Sequence, residues 1–104
     1  MVNTNNKEQL RRIARMERHL VRAASALKRF SSALDKYEEV QKDIAALSDY
    51  YGSDDWKQDF AADEAGLLPK DLKRGVLSED GIWNLLEDNK ELQKKIRNIK
   101  KITR

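Results

Sequence analysis

Residues 13–37 read IARMERHLVRAASALKRFSSALDKY. Within them Ile13, Met16, Leu20, Ala23, Leu27, Phe30, Leu34 and Tyr37 recur at alternating steps of three and four. That alternation is a heptad seam: positions a and d return to one face of a helix every seven residues, where they pack against a partner helix. A half-buried strand would need a period of two, which this stretch lacks. It points to an all-α fold that opens on a long helix.

The apolar stripe runs on through Val40, Ile44, Leu47 and Tyr51, but the step from Tyr37 to Val40 breaks the alternation, as a stammer does. The helix is expected to change partner there. Upstream, Asn5 with Glu8 three residues on suits a capping box. Downstream, Gly52 suits a C-terminal stop. The expectation is one helix over 5–51, about 70 Å long at 1.5 Å per residue.

Composition agrees with this reading. The 104 residues are the size of one domain, 1–104, and 38% of them are charged, with four Gly and one Pro. With no Cys and one His, the chain has no disulfide framework and no thiol chemistry, and it cannot assemble a structural zinc site. No apolar run approaches the length of a membrane span. The polar start Met1–Asn6 lacks the apolar segment of an export signal, which points to the cytoplasm.

The middle, 54–77, reads as short helices and turns. Ser53 or Asp54 suits the cap of a helix over 55–65 that Gly66 ends, and Pro69–Arg74 suits a single turn closed by Gly75. Ser78 is placed to cap a last helix over 79–102 with a stripe of Ile82, Leu85, Leu92, Ile96 and Ile99. Asn89 falls where that stripe calls for an apolar residue. A lone Asn in a seam fixes register at a cost in stability; otherwise it simply faces water. Tyr50, Tyr51, Trp56, Phe60 and Trp83, with Leu67, Leu68, Leu72, Val76, Leu77 and Leu86, are the expected core, clamping the end of the first helix to the start of the last. The last helix is expected to pack back antiparallel, a helical hairpin or bundle completed by a second chain.

Two passages carry a resemblance. One is Tyr50-Tyr51-Gly52-Ser53-Asp54-Asp55-Trp56 with Asp59-Phe60, Asp63-Glu64 and Gly66-Leu67-Leu68-Pro69; the other is Leu72-Lys73-Arg74-Gly75-Val76-Leu77-Ser78-Glu79-Asp80. Together they resemble a family of short bacterial proteins catalogued only as a domain of unknown function. The resemblance covers about residues 14–91, is most specific over 50–87, and leaves the basic tail outside. It implies a small, mainly helical cytoplasmic protein and brings no activity, cofactor or site residue.

Charge is segregated along the chain. Residues 7–30 hold eight Lys/Arg against two Glu, a net of +6, and 92–104 hold six Lys/Arg with no acid. Arg11, Arg15, Arg18, Arg22 and Arg29 fall within about 60° of one another on a helical wheel, opposite the seam, with Arg12 and Lys28 beside them. Arginine suits bidentate contacts to phosphate, so this row is the candidate nucleic-acid contact. No aromatic residue interleaves with it to stack on bases, and the plainer reading is the wet face of an amphipathic helix. Weak amphipathic signals also argue against a membrane surface, since the apolar face carries Ala23, Ala24 and Ala26 and no Trp.

Asp55, Asp59 and Asp63 follow at i, i+4 and share a helix face able to offer oxygen ligands to Mg²⁺ or Ca²⁺. The plainer reading is a solvated face, or carboxylates that accept hydrogen bonds from Lys73, Arg74 or a Trp indole. His19, at the edge of the seam, is readable as a pH-sensitive group or as an ordinary solvent-facing one. No nucleophile–base pair, Gly-rich phosphate loop or zinc-binding helix is present.

The helix lengths decide among these features. A 24-residue last helix cannot cover 46 residues of first helix, so the seam at Ile13, Met16, Leu20, Ala23 and Leu27 is left for a second copy. The sequence reads as a non-enzymatic interaction or scaffold protein acting as a homo-oligomer, with no cofactor. The alternative is a nucleic-acid-binding accessory protein using the Arg row and the basic tail.

Overall fold

The computed structural model describes residues 4–99. The fold is all-α: α1 spans Thr4–Glu39, α2 Gln41–Tyr50, α3 Asp54–Glu64 and α4 Gly81–Asn98, with a single 3-10 turn at Gly75–Leu77. The helix expected over 5–51 is thus two helices, separated at Val40. No Gly or Pro stands near the break; it falls where the apolar stripe loses phase. It also divides the chain into two compact units, one through Val40 and the other from Gln41. At its other end α1 begins before Asn5, which therefore stands inside the helix rather than capping it. The end of the last helix expected over 79–102 lies outside the described residues.

The first unit is α1 itself, about 54 Å long at 1.5 Å per residue. The second is a small helical cluster in which α4 packs on α2 and on the 3-10 turn, and α3 packs on the same turn.

Two serines join the elements of the second unit in the same way. The Ser53 hydroxyl donates to the Tyr50 carbonyl at 2.6 Å and accepts the Trp56 N–H at 3.1 Å. It closes α2 and opens α3 with one side chain, satisfying an orphan group at each helix end. Gly52 makes the corner between them possible at φ 81°, a left-handed conformation open to glycine. Ser78 repeats the pattern: its hydroxyl donates to the Gly75 carbonyl at 2.8 Å and accepts the Gly81 N–H at 3.1 Å. The expected cap at Ser78 is therefore present, displaced two residues upstream of the N-cap position, which Asp80 occupies without a side-chain bond.

Helix α3 ends in a Schellman motif. Gly66 (φ 70°) donates to the Asp63 carbonyl and Leu67 to the Ala62 carbonyl, each at 3.0 Å. The single turn expected over Pro69–Arg74 reduces to one bond, Leu72 N–H to the Pro69 carbonyl at 3.2 Å, and Gly75 opens the 3-10 turn instead of closing a helix.

The core is smaller than the sequence promised. Leu77 and Ile82 are buried, at 6% and 3% exposure, while Tyr50, Tyr51, Trp56, Phe60, Leu68 and Leu86 are half-buried. Trp83, Leu67, Leu72 and Val76 stand outside it, with half of Trp83 exposed. A cluster of three short helices has too little surface to cover every large side chain. The inward stripe of α4 is also rotated. Ile82, Leu86, Asn89, Ile96 and Ile99 are shielded, whereas Leu85 and Leu92, expected inside, are exposed.

Candidate functional site

The seam of α1 is open from Ile13 to Phe30. Ile13 and Met16 are half exposed, Leu20 is 62% exposed and Leu27 72%, and Ala23 between them is exposed too. Phe30 continues the stripe, and Leu34 and Tyr37 finish it half-buried. Their spacing puts them on one side of a regular helix, as the sequence requires. Single exposed apolar residues are ordinary; here they form a row at heptad spacing over three turns and more. Leu10 and Val21 are exposed as well, though they lie off the seam.

On the far side of α1, Arg11, Arg15, Arg18, Arg22 and Arg29 are all exposed. Arg29 donates to the Ser25 hydroxyl at 3.0 Å. No ion pair among the described residues holds any of the five. His19 is exposed beside them.

In the second unit the chemistry-bearing side chains are tied to one another. The Trp56 ring stacks on Phe60 with centroids 5.1 Å apart and meets Tyr51 edge-on at 5.3 Å. Its indole N–H donates to the Val76 carbonyl at 2.9 Å, which answers the need of a half-buried donor for an acceptor. The Asp55, Asp59 and Asp63 face does not act as one group. Asp59 accepts the Tyr50 phenol at 2.6 Å, and Asp63 pairs with Arg74 at 2.7 Å. The hydrogen bond to Asp59 and the nearby negative charge push the Tyr50 phenol up to about 12. Among the described residues no group of three His, Cys, Asp or Glu side chains could hold a metal ion. Of the donors expected for these carboxylates, Arg74 is used; the Trp56 indole goes to the backbone instead.

Asn89 lines a groove with Ile44, Ala45 and Ser48 of α2 and Trp83 and Leu86 of α4. It lies one and two turns along α4 from Leu86 and Ile82, on the shielded side, rather than in water.

A family model for a domain of unknown function (DUF4298) matches residues 13–99. The chain belongs to the DUF4298 family. The match begins at the first residue of the α1 seam and takes in the whole described second unit, so DUF4298 comprises both the seam and the serine-linked cluster. It also reaches past residue 91 to include Lys94, Lys95 and Arg97, which the sequence resemblance left outside. Neither a curated protein nor a solved structure matches this DUF4298 chain. No helix among its described residues is long and apolar enough to cross a membrane.

Proposed function

We propose that this DUF4298 chain is a non-enzymatic, homo-oligomeric interaction protein whose copies pair through the α1 seam as a coiled coil. The carrying observation is the exposure of Leu20 and Leu27, at 62% and 72%, within an unbroken heptad stripe. Covering a Leu side chain contributes roughly 1.5–3 kcal/mol, so a row of such residues supplies a strong drive for association. A second copy brings an identical stripe of matching length and period, which makes it the simplest partner. In this reading the second unit is the part presented to other partners, and no cofactor is involved. In this reading Asp59 and Asp63 serve the fold, through their bonds to Tyr50 and Arg74.

The double substitution Leu20→Asp with Leu27→Asp tests the proposal. Sedimentation should show the variant as monomer where the parent is an oligomer, while circular dichroism keeps the signal of the α2–α4 unit. Unchanged assembly in the variant removes the seam from the interface.

A second reading rests on the exposed arginine row, which makes no ion pair among the described residues: an accessory protein that tracks a nucleic-acid backbone. Phosphate contacts of this kind strengthen as salt is lowered. A mobility shift at low salt that Arg15→Glu with Arg22→Glu abolishes would support it; no shift at low salt ends it.

A further inference from the structure

We infer that two copies of α1 pair antiparallel, with the two-fold axis crossing the seam between Ala23 and Leu27, at the level of residue 25; this rests on the homo-oligomeric reading above. With Ile13 at position a, the seam runs a, d, a, d to Tyr37. Antiparallel coiled coils set a opposite d. The register centred on residue 25 is the one in which all eight seam residues meet a partner. Ile13 then faces Tyr37 of the second copy, Met16 faces Leu34, Leu20 faces Phe30 and Ala23 faces Leu27. Three of these four layers join residues of unlike size, and the fourth, Met16 with Leu34, joins two of similar volume.

Parallel pairing makes different layers. Ala23 would face Ala23 and Phe30 would face Phe30, leaving one layer underfilled and another crowded, both of which weaken a close-packed seam. Antiparallel pairing also brings Ala24 against Ala24 and Ala26 against Ala26 on the two flanks of the axis, where small side chains allow close helix approach.

Net charge summed over whole segments favours the same direction. Residues 11–19 carry Arg11, Arg12, Arg15 and Arg18 against Glu17, a net of +3; residues 31–39 carry Asp35, Glu38 and Glu39 against Lys36, a net of −2. The register centred on residue 25 lays these two segments along each other. Parallel alignment lays +3 beside +3. Its one attractive flank pair, Arg12 with Glu17, is exposed and contributes little. The consequence is a spacer. The points at which the two chains enter α2 sit at opposite ends of the rod, about 48 Å apart for 32 residues of rise.

The chain has no cysteine, so a single introduced one carries a spin label at a chosen site. The test uses two full-length variants, Arg11→Cys and Glu39→Cys, both at outward positions, with mass measured by light scattering on the same samples. Antiparallel pairing about residue 25 gives both labels the same separation, about 42 Å for 28 residues of rise. A one-heptad slip moves one separation down and the other up by about 10 Å each, and contradicts the register. Dimers in which both separations fall below about 25 Å are parallel and overturn the inference while leaving the oligomer intact. Monomers with no dipolar coupling overturn the oligomer and the inference together.

Discussion

The Trp56 indole N–H donates to the carbonyl oxygen of Val76 at 2.9 Å, joining α3 to the 3-10 turn across twenty residues of chain. The same turn packs on α4, so this bond ties the middle of the second unit to its last helix. Trp56→Phe keeps an aromatic ring against Phe60 and Tyr51 but strands the Val76 carbonyl. A loss of about 1 kcal/mol in urea unfolding is expected, the worth of one neutral hydrogen bond. Trp83→Phe, at a residue half exposed, should change stability by less than about 0.5 kcal/mol and remove the water-exposed part of the fluorescence emission.

Gly75 and Gly81 should respond differently to alanine. A Cβ at Gly81 would lie 2.6 Å from the Gly75 carbonyl oxygen and 2.5 Å from the Ser78 hydroxyl, and backbone cannot step aside cheaply. A Cβ at Gly75 meets nothing within 4 Å. Thermal unfolding should show Gly81→Ala destabilised by about 1–3 kcal/mol, as overpacking is, with Gly75→Ala close to the parent.

Ser53→Ala and Ser78→Ala each delete a hydroxyl that bonds on both sides of a corner. Each is expected to destabilise the second unit by about 1 kcal/mol, the usual effect of losing a helix cap. Helicity of α1 should not change, which far-ultraviolet circular dichroism on the two variants checks.

Tyr50 supplies a pH dependence. Its phenol is held at about 12 against an ordinary 10.0, chiefly by the hydrogen bond to Asp59. The folded state therefore grips this proton more tightly than the unfolded chain. The stabilisation is complete below pH 10 and is lost as pH rises from 10 to about 12. In an absorbance titration of tyrosinate, Asp59→Asn should bring one tyrosine back toward 10.0.

Much of this architecture was legible in the residues. The α1 seam announced itself because a heptad pattern needs only spacing, and Ser53, Gly52 and Gly66 marked their corners because capping and left-handed backbone demand particular residue types. The break at Val40 showed as a lost step, though a pattern alone does not tell a shifted seam from an ended helix. The core was harder to read. Trp83 and Leu85 are as apolar as Ile82 and Leu86, and only the rotation of α4 on α2 decides which pair turns inward. The carboxylate face was legible in part: Arg74 is among the donors the sequence offers and does pair with Asp63, whereas the Tyr50 phenol on Asp59 comes from another element that the i, i+4 spacing does not reveal.

Light scattering on the unmodified protein at tens of micromolar tests the central claim most directly. A mass of two chains, falling toward one on dilution or with Leu20→Asp and Leu27→Asp, is the expected result. A single monodisperse species of one chain's mass across that range would contradict it.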